Sequence, residues 1–215
     1  MIVVVSTGRN APTKQKCVDS VRKQGRFAGH TYVEAGEQYP PCTVSENVYA
    51  AAASCDPADV IAWLDGDDWF AHDGVIAHLE TLYADPDVWL TYGSYVHTDG
   101  RMGCAAPYET ADYRVEPWKA SHLKTFRAAL FRHLTPDDLR GPDGRWIRNA
   151  HDQAIMLPLL EMAGPKHIRF VPDILVIYNY ANSLEHNGSH DDAREEIAIA
   201  RWLRAKTPKE RLATL

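Results

Sequence analysis

The sequence predicts an α/β protein built as one domain on a mostly parallel central sheet. Three observations carry that prediction. Strand-like apolar runs alternate with amphipathic helical segments through the first half of the chain. The runs at residues 2–5 and 59–64 are apolar almost without interruption, as strands covered on both faces require. The length of 215 residues suits one domain with a core of its own.

Taken in order, residues 2–5 are β-branched or aliphatic throughout and form the first strand. Residues 6–11 are a loop. Pro12 stands where a first helical turn tolerates proline. Cys17, Val18 and Val21 then give a helix its apolar face, with Gly25 near its end. Residues 31–34 form a second strand. Thr43-Val44-Ser45-Glu46 is a capping box that starts an alanine-rich helix over 44–54. The strand at 59–64 ends directly in Asp65-Gly66-Asp67-Asp68.

Residues 72–83 read as a helix with Val75, Ile76, Leu79 and Leu82 on one side, and 88–92 as a strand. Residues 96–118 are rich in Gly, Pro and polar groups and read as loop. A helix is expected over 123–134. The segment 151–163 is apolar nearly all round and reads as a buried helix carrying Pro158, stopped by Gly164-Pro165. Strands at 168–171 and 174–180 are expected to run antiparallel. The last element, 191–206, is amphipathic, with acids early and bases late as the helix dipole favours. The chain reads as a single domain of two halves, 1–95 and 96–215.

Lys and Arg total 23 against 29 Asp and Glu, a net charge of −6, which lacks the basic footprint of a duplex-DNA binder. Cys17, Cys42, Cys55 and Cys104 make no Cys-x-x-Cys pair, which argues for buried reduced thiols rather than a zinc site. The chain opens without a basic leader, and no apolar run approaches a membrane span, so a cytoplasmic protein is expected.

The acidic turn is the main chemical signal. Three carboxylates in four positions repel one another and stay together cheaply only in water or around a cation. In open α/β sheets ligands gather at the carboxyl ends of strands, where this turn lies. Hard carboxylate oxygens suit Mg²⁺ or Mn²⁺, held jointly with substrate phosphates. A calcium EF-hand fails, because its fifth, sixth and twelfth positions are here Trp69, Phe70 and Ile76. A solvated Asp/Gly turn is the plain alternative.

Further segments of the chain resemble the family 2 glycosyltransferases, which have the Rossmann-like GT-A fold, an α/β/α sandwich. Residues 3–24 are similar to that family's first strand, nucleotide-contacting loop and first helix. Asn47, the alanine-rich helix and VIAWLDGDDWF resemble the approach to its DxD motif. SHLKTFRAALF at 121–131 and the stretch 151–187 resemble motifs of a compact bacterial and viral subgroup. The resemblance covers most of the chain.

It implies an inverting, metal-dependent hexosyl transfer from a nucleotide-diphosphate sugar to an acceptor hydroxyl, with Mn²⁺ or Mg²⁺ as cofactor. By resemblance Asp65 meets the donor ribose or the metal, Asp67 ligates the metal, Asp68 orients the turn, and Asp152 is the general base. His186 matches a late metal-binding histidine, although it follows Leu184-Glu185 where the subgroup often has Asn-Asp. Glu34 stands where the family has a uracil-contacting acid, in a Val-Glu-Ala-Gly context rather than an acidic pair with Gly-Ser.

The remaining nucleotide-sugar candidates are Ser6, Thr7, Arg9, Asn10, Asn47, Gly66 and Arg127, and His122 and Lys124 are grouped with Arg127 as residues facing the diphosphate. Trp69, Trp118 and His151 are candidates for contact with acceptor or sugar. Each has a plainer reading: a solvated loop, a structural ion pair, a core tryptophan, or a helix-start acid for Asp152. A glycan or small-molecule acceptor is favoured, with a modified DNA base as the minority option. A nucleotidyltransferase and a non-catalytic nucleotide-sugar-binding module are the rival classes. The sequence is silent on oligomeric state.

Overall fold

A computed structural model describes residues 1–7, 13–25, 31–35, 43–182 and 189–215. Seven strands form one mixed sheet: β1 (Ile2–Thr7), β2 (Thr31–Ala35), β3 (Val60–Asp65), β4 (Trp69–Phe70), β5 (Leu90–His97), β6 (Lys124–Arg127) and β7 (Ile168–Tyr178). The helices are α1 (Lys14–Arg22), α2 (Val44–Ser54), α3 (Val75–Tyr83), α4 (Ala128–Phe131), α5 (His151–Ala163) and α6 (His190–Ala205). The spatial order is β2-β1-β3-β6-β5-β7-β4. β1 pairs in parallel with β2 and β3, and β5 with β7; β6 runs antiparallel to both its neighbours and β4 antiparallel to β7. Five of the seven strands run in one direction, so the sheet is mostly parallel as expected, with β6 and β4 reversed within it.

Strand alternation explains why the runs at β1 and β3 are apolar throughout. Ile2 and Val4, with Val60, Ala62 and Leu64, face a core shared with Cys17 and Val21 of α1 and Val75, Ile76 and Leu79 of α3. Val3 and Val5, with Ile61 and Trp63, face a second core shared with α2, α4, α5 and Leu203 of α6. Both faces are covered, so neither parity of either strand can be polar. Burying Trp63 removes about 200 Å² from water, worth about 5 kcal/mol as an upper figure.

Two expected elements are corrected. Residues 123–134 do not form one helix. Residues 124–127 are β6, which fills the gap between β3 and β5, and only Ala128–Phe131 is helical. Residues 168–180 do not form an antiparallel pair. Residues 168–178 are one strand, β7, running parallel to β5 with a register shift. Val171 pairs with Gly93 and Ile174 with Ser94, so Pro172 and Asp173 bulge out of the ladder.

The starts and stops follow the sequence closely. The N–H of Glu46 donates to Thr43 Oγ1 at 3.2 Å and opens α2. Ser189 and Asp192 form a full capping box on α6. Gly164 ends α5 at φ 64°, a left-handed value that glycine adopts without cost. Cys17 and Cys55 are buried free thiols and Cys104 is exposed, while Cys42 lies outside the described residues. Among the described residues, no helix is long and apolar enough to cross a membrane.

Candidate functional site

The acidic turn closes where β3 leaves the sheet. The N–H of Asp68 donates to the Asp65 carbonyl at 3.0 Å, which makes the turn. Thr13, at the start of α1, donates from Oγ1 to the Asp67 carbonyl at 3.2 Å, and Asn179 Nδ2 donates to Thr13 Oγ1 at 3.2 Å. The backbone N–H of Asn179 donates to Asp68 Oδ1 at 2.8 Å. The turn is therefore held from two sides, by the start of α1 and the end of β7. Gly66 is buried within it.

Asp65 faces the α5 side of the sheet. Trp63, two positions earlier on the same face, donates from Nε1 to Asp65 Oδ1 at 3.0 Å. Lys124 pairs with Trp63 across the β3–β6 ladder, and its Nζ lies 4.5 Å from the centre of the Trp63 ring. The His151 ring lies 5.8 Å from the Trp63 ring, which brings the first turn of α5 to this end of the sheet. His122 Nδ1 stands 3.9 Å from Asp65 Oδ2. Tyr95 and Tyr178 wall His122 with ring centres at 5.2 and 5.4 Å.

The electrostatics separate the three aspartates. Burial works against the charge on Asp65, but Lys124 first, then His122, His151 and the Trp63 N–H, outweigh it and hold its carboxyl below the usual range. Burial, then the Asp65 charge, pushes Asp67 up to about 6. Burial, then Asp65, raises Asp68 well above the ordinary value, against the pull of the Asn179 N–H. Burial, then Lys124, lowers His122 to about 3, so the imidazole is neutral at pH 7. Cys17 donates weakly to the Asp65 carbonyl, and burial pushes its thiol up to about 12, so it is protonated and unreactive.

Asp65, Asp68 and His122 each offer an atom within 4.8 Å of the other two. Asp68 Oδ2 and His122 Nδ1 are buried without a hydrogen-bond partner among the described residues. Buried polar atoms are rarely left so. Two carboxylates and a neutral imidazole converging in this way fit a divalent cation.

The structure gathers many of the expected residues at this end of the sheet. Ser6 is buried on β1 beside Cys17, and Thr7 pairs with Asp65 in the β1–β3 register. Trp69 follows the turn on β4, with Lys16 Nζ 3.5 Å from its ring centre. Asn47 lies on the first turn of α2. That helix links the parallel strands β2 and β3, so its start sits at the same sheet end as Asp65. Ser45 Oγ donates to the Ile147 carbonyl at 2.8 Å, tying the start of α2 to the approach to α5. Asp152 follows His151 on α5 and accepts from the Gln153 N–H at 2.7 Å. Ala150, just before it, is held at φ 55°, a left-handed value costly for a residue with a Cβ.

Arg127 is a correction. Strand alternation splits the three residues grouped as diphosphate contacts. Lys124 and Phe126 face the α5 side, whereas Thr125 and Arg127 face α3. Arg127 also pairs with Val60 at the start of β3, five residues or about 17 Å of strand from Asp65. Its guanidinium donates to the carbonyls of Val88, Tyr83 and Asp85, and so closes the end of α3. Trp118 packs half-buried against the α5-side core. Arg9, Asn10 and His186 lie outside the described residues, as does the side chain of Glu34.

No protein-family model matches the chain. No curated protein matches its sequence. Its fold is that of solved structures at low identity. The mannosyltransferase PcManGT from Pyrobaculum calidifontis, in complex with GDP-Man and Mn²⁺, matches with a TM-score of 0.60 and 13% identity over 96% of this chain and 65% of that one. S. aureus TarS 1-349 matches at 0.58 and 12%, over 93% and 64%. Its complex with UDP-GlcNAc matches at 0.57 and 11%, over 92% and 65%. The chain thus spans less than two thirds of the length of these neighbours.

Proposed function

We propose that the chain is a GT-A glycosyltransferase of the family 2 type, moving a sugar from a nucleotide-diphosphate donor to an acceptor hydroxyl with inversion. One observation carries the reading. An acidic turn, whose Asp68 Oδ2 is buried with no hydrogen-bond partner among the described residues, sits at the carboxyl end of β3, in a fold shared with structures bound to GDP-Man with Mn²⁺ and to UDP-GlcNAc.

Asp65 and Asp67 with His186, as the family resemblance has it, or Asp65 and Asp68 with His122, as their convergence has it, would hold Mn²⁺ or Mg²⁺. A bound divalent ion supplies Lewis-acid neutralisation of the charge that builds on the departing nucleoside diphosphate. The protein's own residues do the rest. Trp63, Lys124 and Asn179 hold the turn in place before the donor arrives. Ser6, Thr7, Arg9, Glu34, Asn47 and Gly66 contact the nucleotide. Trp69, Trp118 and His151 contact sugar or acceptor. Asp152, on the first turn of α5, takes the proton from the acceptor hydroxyl as it attacks. Residues 1–95 serve the donor and 96–215 the acceptor, which is a glycan or small molecule ahead of a nucleic acid.

The test is a thermal-shift panel of nucleotide sugars with and without Mn²⁺, followed by assay of the released product. A donor- and Mn²⁺-dependent rise in Tm with slow release of nucleoside diphosphate is expected. Pyrophosphate release in its place makes the chain a nucleotidyltransferase. Binding with no turnover under any acceptor makes it a binding module.

A further inference from the structure

The geometry around His122 carries an inference that rests on the reading above and specifies its cation site. Asp68 is 1% exposed and His122 7%, and neither sits on a surface where water would satisfy it freely. Asp68 spends Oδ1 on the Asn179 N–H and presents Oδ2 without a partner among the described residues. His122 Nδ1 is equally unpartnered, and both converge with Asp65 within a 4.8 Å span. With its proton on Nε2, the imidazole presents a lone pair at Nδ1, and with a divalent ion bound beside them both carboxylates are ionised, so the three groups can serve together as its ligands. Acceptors converge in a buried site around a shared cation, not around one another.

The dimensions agree. Donors at about 2.1 Å from one ion lie at most about 4.2 Å apart. The Asp65–His122 pair, at 3.9 Å, already meets that limit, and all three atoms lie within 4.8 Å of one another, close enough for small side-chain torsions to bring them to it. Asp67 is not one of the three. The ion's protein ligands would then come from the β3 turn and the segment leading into β6, two places locked together by the β3–β6 ladder.

We propose that Asp65, Asp68 and His122 are the protein ligands of the divalent cation, His122 binding through Nδ1, and that this nitrogen donor selects Mn²⁺ over Mg²⁺. Carboxylate-only sites suit Mg²⁺, which also demands near-ideal octahedral geometry. An imidazole moves the preference toward first-row transition ions.

The test uses the full chain loaded with Mn²⁺ alone and read by pulsed EPR. Imidazole-nitrogen modulation is expected in the wild type. It should persist in the His151→Ala/His186→Ala double variant and vanish in His122→Gln. Mn²⁺ affinity in His122→Gln should fall about tenfold or more, the loss that even an outer-shell partner of a metal site can cost. Its preference for Mn²⁺ over Mg²⁺ should fall too. If His122→Gln does not fold, the double variant decides: modulation retained supports His122, and modulation lost overturns it. Mn²⁺ bound with no nitrogen coupling also overturns this inference, leaving water to satisfy the buried atoms and the transferase reading intact. No Mn²⁺ binding at all overturns the inference and the metal-dependent reading together.

Discussion

The backbone N–H of Asn179 reaches Asp68 Oδ1 at 2.8 Å and joins two residues 111 positions apart. The bond fastens the acidic turn to the end of β7, and it sets Asp68 apart from its neighbours as the aspartate with a structural duty. Asp68→Ala strands the Asn179 N–H at a site that is 6% exposed, and is expected to cost about 1–3 kcal/mol in urea unfolding with chelator present. Asp68→Asn keeps an acceptor and removes a charge that Asp65 opposes. It should match or exceed the wild type in chelator yet lose the Mn²⁺-induced rise in Tm. An alanine variant as stable as the wild type would show that the bond holds nothing.

Arg127 is expected to matter for stability and not for donor binding. Three carbonyls at the end of α3 and the following turn depend on one guanidinium, which also lies over the Tyr83 ring at 5.3 Å. Arg127→Met should cost about 1.5–3 kcal/mol in unfolding, with nucleotide-sugar affinity unchanged by calorimetry. Asp65→Asn should show the reverse pattern. A large loss of donor affinity in Arg127→Met would return this residue to the site.

The sheet can be tested at its register shift. A Cβ on Gly93 would lie 2.7 Å from the Val171 carbonyl oxygen, backbone against backbone, where nothing flexible can yield. Gly93→Ala is expected to cost about 1–3 kcal/mol by chemical denaturation. Gly25→Ala is the control, since a Cβ there meets nothing within 4 Å. Equal stability of the two variants would contradict the β5–β7 pairing.

Much of this architecture was legible because burial on both faces leaves a plain mark. The β1 and β3 runs, the Thr43 cap and the three aspartates after β3 stand out in the sequence for local reasons. The misreadings have local causes too. Lys124-Thr125-Phe126-Arg127 is a four-residue strand running directly into a helical turn, too short to show period-two alternation against the helical spacing of its apolar residues. Pro172 and Asp173 look like a strand break and are a bulge. The sequence groups His122 with Lys124 and Arg127 as residues facing the diphosphate. The meeting of His122 with Asp68 is set by the β3–β6 pairing, which no local pattern records.

Glu116 offers a pH test away from the acidic turn. Lys119 Nζ donates to it at 2.8 Å, the Thr110 N–H and hydroxyl at 2.6 and 2.7 Å, and the Glu109 N–H at 3.2 Å. Lys119 first, then Thr110, lowers its carboxyl from 4.5 to about 2. Between those values the unfolded chain binds more protons than the folded one, so this contribution is whole above pH 4.5 and fades as pH falls through about 2. The stability gap between wild type and Glu116→Gln, measured by denaturation from pH 6 downward, should narrow across that window. A gap independent of pH would place its origin in packing.

Asp152 is the sharpest test of the proposed chemistry. It stands on the first turn of α5, next to the histidine that packs on Trp63, and Trp63 in turn holds Asp65. That chain of contacts brings a carboxylate to the acidic turn's end of the sheet without making it part of the metal group, as a base acting on the acceptor requires. Asp152→Asn keeps the size and one acceptor for the Gln153 N–H, and loses the ability to take a proton. Transfer should fall by about 10²–10⁴-fold in kcat, while donor affinity and Mn²⁺ affinity stay at wild-type values. Hydrolysis of the donor by water should fall with it, since water needs the same base. If kcat is unchanged, Asp152 is a helix-start acid and the proton leaves by another route. If donor binding is lost along with kcat, Asp152 belongs to the donor side, and the division between the two halves of the chain has to be redrawn.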